Sequence, residues 1–334
     1  MVFNSIFFIF CFLPVFMLIY YLVPGKLRNL LLFLGSLIFY AWGEPVYVIL
    51  MLFSSIFNYY MGTELERLYY DDRKQKINLI FSIIINLAVL VFFKYYGFLL
   101  NTIGGIIGIH IPHPELSLPI GLSFYTFRNL SYLFDIYLSK VSAQRNFLTF
   151  SVYSTMFPYT SAGPIVRYTD IETQLKQRTI NISKFGIGAE LFVKGLAKKV
   201  LLADNLSVLY SSICGHPQMS VFTSWLGILA YTMQLYFDFS GYSDMAIGLG
   251  KMLGFDFNKN FDYPYISTSV SEFWRRWHIS LGSWFRDYIY IPLGGNRVST
   301  LKHIRNILVV WALTGLWHGA SWNYVLWGLY FFLF

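Results

Sequence analysis

Two histidines stand where an ionisable side chain is costly to keep. His318 lies in Thr314-Gly-Leu-Trp-His-Gly-Ala-Ser-Trp-Asn323, close to the end of an apolar run. Arg305 precedes it by thirteen residues, roughly 20 Å along a helix rising 1.5 Å per residue. With Arg305 at one face of a hydrocarbon core about 30 Å thick, His318 falls past the middle. Ionisable residues at that depth are candidates for function by default. What an imidazole offers there is proton transfer, because a neutral ring with a reference pKa near 6.5 can take the proton of an attacking hydroxyl. Moving an acyl group from a thioester to an alcohol needs such a base, in surroundings that keep water off the donor. His318 is therefore the candidate general base. His278, in Phe273-Trp-Arg-Arg-Trp-His-Ile-Ser-Leu281, is the second candidate. It binds the donor or orients the hydroxyl, or else is an interfacial histidine at a helix end.

Other polar residues collect in the same third of the chain. The run Tyr231–Asp244 carries Gln234, Asp238, Ser240, Tyr242, Ser243 and Asp244 within an apolar span. A charge at mid-membrane costs ~2.5–3.5 kcal/mol on insertion scales, so both aspartates must face a polar interior. They line a reaction pathway, or they tie helices together through hydrogen bonds. Residues 251–305 hold eight Lys/Arg against four Asp/Glu, yet also Trp274, Trp277 and many other aromatics. That mixture predicts a re-entrant structure shielded from lipid. Arg275 and Arg276, with Arg286, could grip the phosphates of a thioester donor or those of lipid headgroups. Asn296 and Arg297 close the turn Ile291-Pro-Leu-Gly-Gly-Asn-Arg297, while Trp317 and Asn323 flank His318. His110 and His113 form an H-x-x-H without the further ligands that a metal needs, and no metal is expected. No nucleophile elbow or Walker loop is present. Gly248-Leu-Gly-Lys-Met-Leu-Gly254 has the wrong spacing for a dinucleotide fingerprint and reads as helix packing or termination.

The elements that must position these residues are membrane spans. The 334 residues are 56% hydrophobic and 13% charged, about half the charge of an ordinary soluble domain. We read an all-α, polytopic membrane protein forming one domain over 1–334. Spans fall near 3–23, 29–43, 45–62, 78–100, 118–138, 185–213, 220–248 and 304–334, with embedded pieces at 147–165 and 279–295. Lys26 and Arg28, then Arg67 to Lys76, then Lys140 and Arg145 alternate with a stretch at 101–117 that lacks Lys and Arg. The positive-inside rule then puts the N-terminus outside. The net charge of +8 is spent on those loops, which argues against nucleic acid as a partner. Lys194, Lys198 and Lys199 interrupt the span at 185–213 and are expected to snorkel toward lipid headgroups. The N-terminus has no basic region or cleavage site and reads as a retained span. Cys11 and Cys214 show no metal spacing.

Taken together, Tyr236-Phe-Asp-Phe-Ser-Gly-Tyr-Ser-Asp-Met-Ala-Ile-Gly-Leu-Gly250, Glu272-Phe-Trp-Arg-Arg-Trp-His-Ile-Ser280, Tyr290-Ile-Pro-Leu-Gly-Gly-Asn-Arg297 and Thr314-Gly-Leu-Trp-His-Gly-Ala320 resemble the membrane-bound O-acyltransferase (MBOAT) family. The resemblance is to its bacterial branch, which O-acetylates alginate and other cell-envelope polysaccharides. Leu118-Pro-Ile-Gly-Leu-Ser-Phe-Tyr-Thr-Phe127 and Ala162-Gly-Pro-Ile-Val-Arg167 extend the resemblance over nearly the whole chain. By position, the family's membrane histidine falls on His318 and its second histidine on His278. The resemblance implies a ring of tilted helices with re-entrant segments around a central tunnel. Asp238, Ser240, Tyr242, Asp244, Trp274, Arg275, Arg276, Trp277, Asn296, Arg297, Trp317 and Asn323 are the residues expected along it. It further implies acetyl-CoA as cytoplasmic donor, a bacterial inner-membrane location, a polysaccharide acceptor and an extracytoplasmic acetyltransferase partner. D-alanyl transfer to teichoic acid is the sister possibility; a transporter or a non-catalytic scaffold of an export complex are rivals of another class. Two departures stand out. Family members usually continue with further spans beyond the equivalent of Phe334, so the chain is expected to be truncated or to lack the usual C-terminal part. Phe157-Pro-Tyr-Thr-Ser-Ala-Gly163 is also more polar than its family counterpart.

Overall fold

The computed structural model describes every residue except Glu115 and Pro217. The described residues form helices and no strand. The first half comprises α1 (Leu13–Leu22), α2 (Arg28–Ala41), α3 (Val48–Arg67), α4 (Asp72–Ile107), α5 (Leu122–Tyr137), α6 (Phe147–Thr155) and α7 (Tyr168–Lys176). The second comprises α8 (Ile182–Ala197), α9 (Asp204–Cys214), α10 (Val221–Met252), α11 (Val270–Arg276), α12 (Ile279–Phe285), α13 (Thr300–His318) and α14 (Trp322–Phe332). Helix starts follow side-chain capping chemistry. Asp71, Asn146, Asn181, Ser220 and Ser269 each accept the backbone N–H three residues on, at 2.7–3.2 Å. These are the residue types whose short oxygen satisfies a free helix donor.

By length and composition, α3 and α4 are apolar enough to cross a membrane, and the 36 residues of α4 span about 54 Å. Large apolar side chains point outward on many helices, among them Leu22, Ile49, Ile106 and Phe222. The interior is aromatic: Phe3, Phe8, Tyr20, Phe39, Phe150 and Phe157 are buried in one cluster. Its charges are braced by backbone. Arg128, wholly buried, donates to Tyr159 O at 2.8 Å and Ser154 O at 3.1 Å and lies over the Tyr159 ring.

Helices α8 and α10 approach so closely at two points that only glycine fits. A Cβ on Gly188 would lie 2.6 Å from Gly248 O, and one on Gly195 would lie 2.5 Å from Gly241 O. The seven-residue spacing on both α8 and α10 keeps these glycines on one seam, the small-residue packing expected of helices in lipid. Gly248 thus serves packing, and Gly254, at φ +92°, ends the segment.

Two expectations need correction. The run 304–334 is not one span: it breaks at Gly319-Ala320-Ser321 into the hairpin α13–α14. Gly315 and Gly328 meet there, each leaving room only for the facing backbone. Because the break is built from small apolar-to-neutral residues, hydropathy does not register it. Nor do the lysines at 194–199 simply snorkel. Lys198 pairs with Asp244 at 2.6 Å and Lys199 with Asp238 at 2.6 Å, while Lys194 pairs with Glu190 along its own helix.

Candidate active site

α11, α12 and α13 surround a cavity of about 120 Å³. The segment reaches it through an irregular join: α11 ends at Arg276, and His278 adopts φ +43°, ψ +54° before α12 begins. A left-handed conformation in a non-glycine residue costs of order 1–3 kcal/mol and persists only where neighbours enforce it. Here Ile279 N–H donates to Asn260 O at 2.9 Å, and Asp262 N–H to Arg276 O at 2.9 Å, stitching the join to the loop before it. Trp274 and Trp277 line the cavity on one side, Leu281 and Phe285 on another, Trp311 and Thr314 on a third. His278 and His318 both face it. The two histidines, forty residues apart in sequence, are thus brought to one mostly apolar chamber.

Their settings differ. His278 is buried, with Nδ1 3.1 Å from Asn260 Oδ1. His318 is exposed at the rim, packed against the Trp327 and Trp317 rings at 4.7 and 4.9 Å and roughly parallel to Tyr324. Among the described residues neither of its ring nitrogens is hydrogen-bonded. Trp317 stands between the two, its ring 5.6 Å from that of His278.

His318 also terminates α13, and the last carbonyls of a helix have no intrahelical partner. α4 supplies partners from the side: Tyr95 Oη donates to Leu316 O at 2.5 Å, and Lys94 Nζ donates to Trp317 O. A cation at a helix C-terminus also meets the negative end of its dipole. Beyond Lys94 lies an open groove of about 800 Å³ between the second half of α4 and the α13–α14 turn. It is lined by Lys94, Phe98, Asn101, His113, Ser321 and Trp322 among others. The turn residues next to His318 therefore border the groove, while His318 itself borders the cavity.

Several residues expected along a tunnel sit elsewhere. Asp238 and Asp244 are consumed by Lys199 and Lys198. Tyr242 bonds Ser161 and stacks on Phe3 at 4.7 Å, and Ser240 is buried away from the cavity. Arg276 is held by Glu272 and Asp262. Arg275, Asn296, Arg297 and Asn323 are exposed and do not line the cavity. Trp274, Trp277 and Trp317 do join the histidines. No group of three His, Cys, Asp or Glu positioned to hold a metal occurs among the described residues. Sequence reasoning passed over Lys94, Asn260 and Ser280. Lys94 carried a usable signal, a lone charge inside Val91-Phe-Phe-Lys-Tyr-Tyr96, and the rule that flagged His318 applies to it equally.

The model of the membrane-bound O-acyltransferase family matches residues 42–334. The chain belongs to that family. Over 332 residues it is 45% identical to a protein of Pseudomonas aeruginosa named as a probable alginate O-acetylase, covering 98% of this chain and 64% of that relative. A peptidoglycan O-acetyltransferase of Helicobacter pylori is 35% identical, with 98% of this chain and 68% of the relative covered. A teichoic acid D-alanyltransferase of Bacillus subtilis is 30% identical over 66% of this chain and 58% of its own length. The chain thus spans about two thirds of the length of the alginate O-acetylases it matches. As a family member it is membrane-bound, and its described residues are all-helical.

Proposed function

We propose that this protein is a membrane O-acyltransferase that moves an acetyl group from a cytoplasmic thioester, acetyl-CoA, toward a hydroxyl of an extracytoplasmic cell-envelope polysaccharide, directly or through a partner protein. The observation that carries the reading is the convergence of His278 and His318 on one small, mostly apolar cavity. In the reaction an alcohol oxygen bonds to the thioester carbonyl carbon, the carbon–sulfur bond breaks, and the thiolate leaves. One imidazole of the pair takes the alcohol's proton and returns it to the sulfur. His318, accessible at the rim, is the candidate that sequence singles out. Tryptophan walls exclude water that would otherwise hydrolyse the donor. The groove beside Ser321 and Trp322, with its aromatic and amide side chains, suits a sugar chain approaching from the face opposite the donor. On this reading the protein is a multi-pass protein of the bacterial inner membrane with its N-terminus outside, and the cavity and groove are parts of a tunnel within a ring of helices.

The test is acetate released by alkali from purified envelope polymers of cells with and without the protein, alongside His318→Gln. Acetate should fall to background in both cases. If no polymer changes, acetylation is not what the protein does. Label supplied as acetyl-CoA, compared with label on a D-alanyl carrier protein, separates acetyl from D-alanyl transfer.

A further inference from the structure

Helix α12 carries a cavity on each of two opposite faces. Leu281, Gly282 and Phe285 border the histidine chamber, while Ile279, Ser280, Ser283 and Arg286 border a second pocket of about 220 Å³. Three cations from separate stretches of chain meet at that pocket: Arg167 at the start of α7, Lys259 after α10, and Arg286, which opens the π-helical turn Arg286–Tyr290. Single π-helical turns recur at functional sites. Two carboxylates accompany the cations, and both are engaged. Asp287 accepts from Arg167 Nη1 and from Arg286 Nε, each at 2.7 Å, and Asp170 accepts the Arg167 backbone N–H at 3.0 Å. Cationic donors are left over. Arg167 Nη2 is buried without a partner, Arg286 Nη1 has none among the described residues, and Lys259 Nζ is 4.0 Å from the Asp262 carboxylate. Surplus positive charge around an unmet buried guanidinium donor suits an anion rich in acceptor oxygens.

We propose that this pocket binds the phosphates of acetyl-CoA, holding the donor by its nucleotide end while its thioester lies in the chamber on the other face of α12. The site rests on the acyl-transfer reading. Phosphate offers acceptor oxygens, which an arginine fork meets in pairs and a lysine meets as a point charge. A lipid headgroup brings the same phosphate chemistry, but the wall of the pocket favours the donor. Ser280 borders it and also shares the Asn260 oxygen with His278, so the pocket abuts the chamber. An α-helix with its side chains is about 10 Å across, less than the reach of a pantetheine arm, and at Gly282 α12 presents no side chain to the chamber. The stretch 251–305, with eight Lys/Arg against four Asp/Glu, is of the kind that the positive-inside rule puts in the cytoplasm, the side from which the donor comes. Of the arginines that the sequence offers for this role, Arg276 is taken by Glu272 and Asp262, and Arg275 lines neither cavity. Arg286 is the one in place.

Equilibrium binding to the whole purified protein, with no acceptor present, tests this. S-acetylpantetheine carries the same thioester and lacks every phosphate. The parent protein should hold acetyl-CoA at least about 10-fold more tightly than S-acetylpantetheine, the minimum for one charge-assisted hydrogen bond. The double substitution Lys259→Gln with Arg286→Gln changes two exposed side chains, and its melting transition checks the fold. It should weaken acetyl-CoA roughly 10- to 100-fold on the same scale, so that the preference shrinks toward one. In turnover the loss should fall on KM for acetyl-CoA, with kcat little changed. Equal affinity for the two thioesters in the parent, or a preference that survives the double substitution, overturns the site. Phosphatidylglycerol that co-purifies with the parent and is lost from the variant, while acetyl-CoA binding stays unchanged, assigns the pocket to a lipid headgroup and overturns it equally. Phosphate-dependent binding beside unaltered envelope polymers in cells would sink the acyl-transfer reading and leave the site standing.

Discussion

Replacing Lys94 by methionine should damage catalysis from a residue that lies on a different helix from either histidine. Methionine keeps the length and apolar stem of lysine but removes the donor to Trp317 O, the carbonyl immediately before His318. A hydrogen bond from a charged group contributes ~1.5–3 kcal/mol, and a cation at a helix C-terminus a further ~0.3–1 kcal/mol. The α13 terminus thus loses roughly 2–4 kcal/mol of restraint, and one carbonyl is left unpaired beside the groove. If half of that is felt in the transition state, kcat/KM falls about 5- to 30-fold at ~1.4 kcal/mol per decade. Tyr95→Phe is the internal control. It removes a neutral hydrogen bond to the adjacent Leu316 O, for which ~0.5–1.5 kcal/mol is expected, and on the same scale costs only about 2- to 4-fold. Initial rates of label transfer from acetyl-CoA, measured in membranes with protein amounts matched by immunoblot, give the comparison. Equal losses in the two variants, or none in Lys94→Met, would refute the idea that α4 holds His318 in place through a charged contact.

Further expectations follow from packing and pairing. Gly328→Leu places a side chain where a Cβ would already lie 2.5 Å from Trp311 O; overpacking of this kind costs ~1–3 kcal/mol or more, so the melting temperature in detergent should fall and activity with it, as the α13–α14 hairpin is prised open. Leu281→Ala enlarges the cavity beside both histidines; propionyl should then gain on acetyl as donor by roughly 10-fold, within the ~1–3 kcal/mol that one methylene commands in an apolar pocket, as read from competition between the two thioesters. Asp238→Asn should leave acetyl transfer by the folded protein within about twofold of the parent, because Asp238 is engaged in a half-buried ion pair with Lys199 and does not line the cavity, and sites without shared partners act independently. A tenfold loss there would return Asp238 to the reaction pathway.

What the sequence disclosed, and what it hid, divides along a physical line. His318 and His278 were legible because each stands alone against an unfavourable environment, and Trp274, Trp277 and Trp317 because aromatics crowd a segment that charge alone would have made a loop. The aspartates at 238 and 244 were equally anomalous, and so were the lysines at 198 and 199. Read singly, each suggested a cavity or a lipid headgroup. Read as two sets of unpaired charges in neighbouring spans, they resolve one another, as the 2.6 Å contacts require. Asn260 gave no signal at all. It sits in the polar stretch Asn258-Lys-Asn-Phe261, where an amide is unremarked, and its contacts come from Ser243 on α10 and from His278 and Ser280 at the α11–α12 join. Helix breaks were hidden for a related reason: Gly319-Ala-Ser321 is too short and too neutral to interrupt an apolar run.

That break, however, is what gives the site its form. Were 304–334 a continuous helix, the carbonyls of Leu316 and Trp317 would bond forward along it, and neither Lys94 nor Tyr95 would have anything to hold. His318 would then sit on a helix flank, shielded by its neighbours one turn on. Ending the helix at His318 frees the carbonyls, and freeing them draws in α4, whose Lys94 also borders the groove. The same interruption turns Tyr324 and Trp327 back toward the imidazole. A terminus that would be a defect in a simple membrane span becomes, here, the point where cavity, groove and histidine adjoin. On this view the backbone at 319–321 is as much a determinant of activity as the imidazole. Ala320→Leu, or Gly319→Leu (where a Cβ would lie 2.2 Å from the Tyr324 ring), should lower kcat, read as initial rates of label transfer from acetyl-CoA at matched protein amounts.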